Sequence, residues 1–210
     1  MVISEREAWD AQAATYAAAQ RAVWAEDDSR YLHRVTDCLG ELWPRLALGY
    51  ADGGVILDLG CGVGRLAIPV AQALPHAYVV GVDVSPRMVG YAQSVAEAED
   101  AANTVFFVGD GRNLPTLAPP LAAAFSVLLF QHLPGDACAG YISQVAAKLP
   151  PGAPFVFQYV EGSEDIAMSR QRDEATVRSW CADAGLAVAD ISPGSVILYP
   201  EWRWVTAVKA

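Results

Sequence analysis

The chain has 210 residues, of which 53% are hydrophobic and 18% charged, a composition that excludes an intrinsically disordered protein. Its formal net charge of −10 argues against nucleic acid or an anionic membrane as a partner, because binding to either requires a basic face. The cysteines Cys38, Cys61, Cys138 and Cys181 are scattered and suit neither a disulfide framework nor a metal site, so we expect a cytoplasmic protein without metal.

The first part of the chain predicts helices. The opening residues, MVISEREAWDAQ, are charged, so we expect no secretory signal, and no apolar run approaches the ~20 residues of a membrane-spanning helix. Between Ile3 and Leu48, apolar and aromatic residues recur at steps of three and four, which is typical of amphipathic helices. We expect residues 1–50 to form a helical cap, which ends at Asp52-Gly53-Gly54.

The rest of the chain alternates apolar strands with helices, which predicts an α/β fold with a mostly parallel sheet covered on both faces. No helix fits between the last two strands, so we expect them to pair as an antiparallel hairpin. One domain, residues 1–210, is expected, with residues 51–210 as its core. Strands are predicted at Val55–Leu59, Ala77–Asp83, Thr104–Asp110, Leu121–Val127, Pro154–Val160, Leu186–Ile191 and Trp202–Lys209, and helices at Arg65–Leu74, Pro86–Glu99, Gly135–Leu149 and Asp173–Ala184.

A glycine-rich stretch, VILDLGCGVG, follows the first strand. Ligands of open parallel sheets bind at the carboxyl ends of the strands, where Gly60, Gly62 and Gly64 would let a ligand approach the backbone. A tight turn without a ligand is the alternative. The spacing is G-x-G-x-G, and Arg65 stands where a dinucleotide-binding protein has its third glycine, which argues against a nicotinamide-dependent oxidoreductase.

Two further acids end neighbouring strands. Asp83 closes the second strand, about 20 residues further on, where a carboxylate commonly holds a ribose diol. Asp110 closes the third strand and could accept a hydrogen bond from an adenine amine. Together with Asp58 these residues place three carboxylates at one rim of the predicted sheet.

Three segments carry a resemblance to a known family. Asp58–Gly64, Gly81–Met88 and Gly109–Gly111 resemble, in order and spacing, the first three motifs of class I S-adenosylmethionine-dependent methyltransferases. The resemblance covers roughly residues 55–160 and implies a Rossmann-like seven-stranded sheet of order 3-2-1-4-5-7-6 with strand 7 antiparallel. Leu121-Ala122 departs from the aromatic-Asp pair that commonly opens the family's fourth strand.

The resemblance also implies a cofactor, S-adenosyl-L-methionine (SAM), with S-adenosyl-L-homocysteine (SAH) as product. The glycine backbone and Asp58 would hold the methionyl part, Asp83 the ribose, and Asp110 the adenine amine. Each role has an alternative, since Asp83 could be a helix cap, Met88 core packing and Asp110 a turn residue. The implied cofactor site comprises Tyr16, Asp58, Gly60, Cys61, Gly62, Gly64, Asp83, Val84, Met88, Asp110, Gly111 and Ser126.

The reaction needs alignment of the nucleophile with the methyl group and, for a hydroxyl acceptor, a general base. His132 follows the fourth strand and is the candidate base, because imidazole has an ordinary pKa near ~6.5. A purely structural His132 is equally compatible with the sequence. Phe130, Gln131 and Trp9 are expected to line the acceptor pocket, whereas Trp24 and Tyr31 are expected to hold the helices to the sheet.

The acceptor is inferred largely by exclusion. No Asn/Asp-Pro-Pro-Tyr/Phe segment follows the fourth strand, which argues against amino groups of nucleobases and glutamine amides, and no carboxylate cluster suggests a catalytic magnesium. We expect a small or medium neutral acceptor, with a hydroxyl of a sugar or natural product favoured over an amine or a quinone-like ring. An inactive, methyltransferase-like binding module is the alternative of another class. The protein is expected to be a monomer or a homodimer.

Overall fold

The computed structural model describes residues 4–22, 28–50, 53–117, 120–163, 169–194 and 201–210. Trp24 lies outside these ranges, and so does the side chain of Tyr31, so the roles predicted for them are not addressed by the structure.

Seven strands form one mixed sheet. They are β1 (Gly54–Leu59), β2 (Ala77–Asp83), β3 (Thr104–Val108), β4 (Leu121–Ser126), β5 (Pro154–Glu161), β6 (Leu186–Pro193) and β7 (Trp202–Lys209). Their order is 3-2-1-4-5-7-6, with β7 antiparallel to both of its neighbours. The expected fold class is therefore confirmed. A short segment, Gln171–Arg172, adds a parallel pairing to the end of β5.

The predicted helices are present, with small shifts at their ends. They are α1 (Glu5–Gln12), α2 (Tyr16–Ala22), α3 (Asp28–Leu46), α4 (Ala67–Ala73), α5 (Pro86–Ala98), α6 (Gly135–Lys148) and α7 (Glu174–Asp183), with a 3₁₀ turn at Phe130–His132. Within the described ranges, none of them has the length and apolar character needed to span a bilayer.

Local sequence explains where two of these helices begin. Ser85 caps α5, because its side chain accepts a hydrogen bond from the Met88 amide and Pro86 follows at the first helical position. Ser4 and Glu7 form a reciprocal capping box at the start of α1. This capping box matters because α1 has no buried residue to stabilise it.

Each face of the sheet carries its own apolar core. On one face α6 and α7 pack against the strands through residues such as Ile142 and Val177. On the other face α3, α4 and α5 pack through residues such as Leu42 and Val89. Because both faces are covered by helices, the carboxyl ends of the parallel strands are the part of the sheet where a cavity opens.

Candidate active site

The glycine loop after β1 is attached to the end of β2. The amides of Gly60 and Cys61 both donate to the carbonyl of Val82, at 2.8 and 3.1 Å. Gly60, Gly62 and Gly64 have φ of +79°, +53° and +78°, a region that side chains disfavour. A Cβ on Gly60 would also lie 3.0 Å from the Cβ of Leu129. Glycine is therefore required here by backbone conformation as well as by space.

Asp83 connects this loop to the next helix. Its Oδ2 accepts the Gly62 amide at 2.9 Å, and its Oδ1 accepts the Ser85 amide at 2.9 Å. The carboxyl is half-buried and lines a cavity beside Gly62. Burial raises its pKa, although the hydrogen bonds from Ser85 and Gly62 act in the opposite direction. The side chain thus faces inward, with oxygen lone pairs available to a ligand.

A buried acid and a buried base lie below the glycine loop. Asp58, near the end of β1, is only 3% exposed, and Arg65, directly after the loop, is 9% exposed. Burial raises the pKa of Asp58 to about 8, while the positive charge of Arg65 lowers it. Both side chains line the cavity.

Helix α1 crosses the mouth of the cavity. Arg6 donates to the carbonyl of Gly109 at 2.7 Å, after β3. Asp10 accepts from the Ser85 hydroxyl at 2.9 Å and the Arg87 amide at 3.0 Å, and also pairs with the Arg87 guanidinium. Trp9, from the same helix, extends to the opposite wall. Helix α1 therefore lies at the rim of the sheet.

The opposite wall is the segment after β4. The ring of His132 packs edge-on against Trp9, with 4.9 Å between the ring centroids and an interplanar angle of 72°. The carbonyl of Gln131 accepts from the Arg170 amide at 2.7 Å, so the segment that pairs with the end of β5 also holds this wall in place. Gln131 and His132 both line the cavity.

The cavity between these walls has a volume of about 320 Å³, within the range of small-molecule sites. It brings together most of the residues that the sequence singled out. Those that line it are Trp9, Asp58, Gly60, Cys61, Gly62, Asp83, Val84, Met88, Gly111, Gln131 and His132.

Five predicted residues lie near the cavity but outside its lining: Tyr16, Gly64, Asp110, Ser126 and Phe130. The Ser126 hydroxyl donates to the Leu59 carbonyl at 2.7 Å, and Phe130 packs 4.9 Å from Phe157 in the core. A Cβ on Gly64 would lie 3.0 Å from the side chain of Ile68, and the ring of Tyr16 packs against that of Tyr91. For these four residues the structure shows packing or hydrogen bonding within the protein.

Asp110 stabilises a turn at the cavity rim. Its carboxylate accepts from the amides of Arg112 and Asn113 and from the Asn113 side chain, at 2.6–2.8 Å. These hydrogen bonds lower its pKa to about 2. The turn presents Gly109 and Gly111 to the cavity, so the role in adenine binding stays a prediction for Asp110.

Sequence reasoning missed several lining residues. Arg65 could have been recognised, because it directly follows the glycine loop. Tyr141 is the one tyrosine on the buried face of α6, and its polar tip suits a cavity wall. Another group of lining residues could have been predicted from the strand order. Strand β7 is antiparallel to β5, so the first residues of β7 lie beside the end of β5 at the cavity. That group comprises Ser169, Gln171, Glu201 and Trp202.

Comparisons with known proteins agree with this geometry. The model of a methyltransferase domain family matches residues 56–152. The magnesium-protoporphyrin O-methyltransferase of Synechocystis sp. is 33% identical over 202 residues, which covers 89% of this chain and 85% of that protein. The trans-aconitate 2-methyltransferase of Streptomyces coelicolor is 32% identical over 133 residues, which covers 62% of this chain and 42% of that protein.

The fold comparison extends over the whole chain. A crystal structure of magnesium protoporphyrin IX methyltransferase from Synechocystis PCC 6803 with bound SAM superposes with a TM-score of 0.76 at 25% identity. The superposition covers 100% of this chain and 99% of that one. Several other curated relatives are matched over less than half of their own length.

Proposed function

Because the chain belongs to the class I SAM-dependent methyltransferases, we propose that it methylates a hydroxyl of a small or medium neutral acceptor, such as a sugar or a natural product. SAM supplies an activated methyl group on a sulfonium. The protein has to bind the cofactor, orient the acceptor and remove the hydroxyl proton.

The part of the cavity beside the glycine loop and Asp83, called the inner half below, fits an adenosyl cofactor. Gly60 and Gly62 leave the backbone bare, and the Asp83 carboxylate suits a ribose diol beside them. Val84 and Met88 offer apolar contact to an adenine ring. Asp58 suits an ammonium group, since the attraction of a cation favours its ionised form.

The outer half of the cavity, formed by the segment after β4 and by the residues beside the end of β5, disfavours an anionic acceptor. Gln131, His132, Gln171 and Trp202 combine aromatic surface with neutral hydrogen-bonding groups, and the acid Glu201 lines the cavity next to Trp202. Among the described lining residues, Arg65 is the one Arg or Lys, and it lies beside Asp58 in the inner half. An anionic acceptor would therefore meet no guanidinium or ammonium group in the outer half. The Synechocystis relative is an O-methyltransferase, which is a further reason to favour oxygen over nitrogen or carbon.

The position of His132 is the observation that carries the proposal. Its imidazole lines the cavity and packs edge-on against Trp9, in the segment that follows β4. An imidazole there can take the hydroxyl proton as the oxygen attacks the methyl group, while Trp9 and α1 limit access of water. Orientation of the acceptor and general-base catalysis are the two contributions that we assign to this chain.

The test compares two histidine variants. Turnover is measured with labelled SAM against hydroxyl, amine and activated-methylene acceptors, and SAH affinity is measured by calorimetry. We expect His132→Gln to lower turnover of a hydroxyl acceptor by about 10²–10⁴-fold, the usual contribution of a general base, and to leave SAH affinity nearly unchanged. His76→Gln is the matched control, because His76 is exposed and outside the cavity lining.

Three outcomes would contradict the proposal. Undiminished turnover by His132→Gln at saturating acceptor would remove His132 as the base. Methylation of amines or activated methylenes alone would replace the hydroxyl with nitrogen or carbon. Tight SAH binding without turnover of any acceptor class would favour an inactive binding module.

A further inference from the structure

Arg65 is a buried cation that lacks a partner. It is 9% exposed and lines the cavity, yet within the described part of the chain no hydrogen bond or ion pair engages its guanidinium. The contrast with Arg45 is informative, because Arg45 is also largely buried but pairs with Glu41 at 2.7 Å and donates to Ser192 at 2.8 Å. Arg65 thus presents to the cavity donors that the described part of the chain leaves unpaired.

An unpaired buried guanidinium is costly to a folded protein. Removing a charge from water is unfavourable unless an opposite charge and hydrogen-bond acceptors replace the solvent. Asp58 is close enough for its pKa to be lowered by Arg65, but the two do not form an ion pair within 4.0 Å. Asp58 also remains protonated near neutral pH, because burial raises its pKa to about 8. An anionic group of a ligand would supply the negative charge and the hydrogen-bond acceptors that the Arg65 guanidinium lacks.

The neighbouring residues indicate which anion this is. Arg65 lines the cavity next to Asp58 and directly after the glycine loop. The methionyl end of SAM carries one ammonium and one carboxylate on the same carbon. One acid and one base, adjacent but unpaired with each other, match that arrangement of charges. A guanidinium is also suited to a carboxylate, because it donates two parallel hydrogen bonds.

We propose that Arg65 binds the carboxylate of the methionyl group of SAM. It is therefore a cofactor-positioning residue that sets where the sulfonium lies relative to the outer half of the cavity. The inference rests on the proposed placement of the methionyl group beside Asp58. It does not depend on the nature of the acceptor.

The test removes the guanidinium of Arg65 by substitution and the carboxylate of SAM by use of a decarboxylated ligand. The affinities of SAM and of decarboxylated SAM, which keeps the ammonium and the sulfonium, are measured by calorimetry on the full chain without acceptor. For the unaltered protein we expect SAM to bind at least about tenfold more tightly than decarboxylated SAM, as for other hydrogen-bonded charged pairs. For Arg65→Met we expect this difference between the two ligands to disappear. The affinity of decarboxylated SAM for that variant should differ by less than about threefold from its affinity for the unaltered protein. Arg178→Met is the matched control, since Arg178 is exposed on α7 and pairs with Glu174.

The ratio of the two affinities separates this role from a structural one. Any effect of Arg65→Met on Asp58 acts on both ligands, because both carry the ammonium, and so cancels in the ratio. A second readout is the melting temperature without ligand, which we expect Arg65→Met to maintain or raise, because an unpaired buried charge is lost.

Two results would overturn the inference. One is an equal loss of affinity for both ligands in Arg65→Met, which would assign the residue a structural role or a role through Asp58. The other is an unchanged preference of that variant for SAM over decarboxylated SAM, which would show that Arg65 does not bind the carboxylate of SAM. If neither ligand bound the unaltered protein, the cofactor site itself would be refuted, a result distinguishable from both.

Discussion

Asp83 and Asp110 show how two acids at equivalent strand ends can have different surroundings. Asp83 uses its oxygens to join the glycine loop to the start of α5, and still faces the cavity. Asp110 uses its oxygens within its own turn, where three hydrogen bonds keep it ionised. The first therefore combines support of the loop with access to a ligand. The second shapes the rim through its neighbouring glycines.

We predict that Asp83→Asn weakens SAH binding by about 10–100-fold. The amide lacks the negative charge that strengthens hydrogen bonds from ribose hydroxyls, and its NH₂ group faces the amide of Gly62 or Ser85 in place of an acceptor. Calorimetric titration with SAH measures the effect. Asp136→Asn is the control, since Asp136 is exposed and pairs with Arg112 outside the cavity lining. Affinity equal to that of the unaltered protein would refute the role of Asp83.

The elements around the cavity are held together by contacts between distant parts of the chain. Helix α1 buries no residue, yet it is fixed to the ends of two strands through Arg6 on Gly109 and Asp10 on Ser85. The glycine loop is likewise fixed to β2. The rim is thus positioned by hydrogen bonds that only the complete fold provides.

Close packing between β2 and β3 leads to a prediction about the free energy of unfolding. A Cβ on Gly81 would lie 2.4 Å from the ring of Phe106 and 2.9 Å from the sulfur of Cys61, in the glycine loop. We therefore expect Gly81→Ala to lower the free energy of unfolding by about 1–3 kcal/mol, because the core cannot accept the methyl group without strain. Urea denaturation measures the difference.

Gly90 provides a matched control for that substitution. It lies in α5 with open space where a Cβ would be, so Gly90→Ala should stabilise the protein by up to about 1 kcal/mol through helix propensity. If Gly81→Ala were as well tolerated as Gly90→Ala, the close packing of β2 on β3 would be wrong.

Local patterns predicted the elements well where the chain itself determines them. Apolar runs such as Val55–Leu59 and a capped start such as Ser85-Pro86 fix strands and helices with little help from tertiary structure. The predicted helix at Arg65–Leu74 begins two residues late, at Ala67, because the turn that continues from the glycine loop holds residues 62–66. The predicted strand Thr104–Asp110 ends at Val108, because Asp110 forms its turn there.

Side-chain roles were harder to predict, since they depend on neighbours that are distant in sequence. Ser126 ends β4 and Phe130 follows it, as expected, but their side chains point into the protein. The place of Arg65 directly after the glycine loop is visible in the sequence, but only the fold reveals that the residue is buried and unpaired. The same holds for Trp202, which reaches the cavity through antiparallel pairing with β5.

Across the whole molecule, two acids of the cavity, Asp58 and Asp83, make the free energy of unfolding depend on pH. The pKa of Asp58 is raised to about 8 in the folded protein from an ordinary value of 3.8. Between pH 3.8 and about pH 8, Asp58 therefore keeps its proton in the folded protein and loses it in the unfolded chain. The resulting contribution to stability is fully present below pH 4 and is lost as the pH rises towards 8. The raised pKa of Asp83 acts in the same direction.

We predict that Asp58→Asn reduces this pH dependence. In ligand-free protein the free energy of unfolding should fall from pH 5 to pH 8, and the fall should be shallower in the variant, because the asparagine does not titrate. Urea denaturation at several pH values measures both slopes. Asp173→Asn is the control, because hydrogen bonds lower the pKa of Asp173 and keep it ionised throughout this range. Equal slopes for Asp58→Asn and the unaltered protein would contradict a raised pKa at Asp58.

We expect the cofactor to lie between the glycine loop and Asp83, with its sulfur directed at His132. A crystal structure of the protein in complex with SAH tests this most directly. We predict the ribose hydroxyls on the Asp83 carboxylate, the methionyl group between Asp58 and Arg65, and the sulfur facing the wall formed by Trp9 and His132. A ribose remote from Asp83, or a sulfur turned away from His132, would contradict the account.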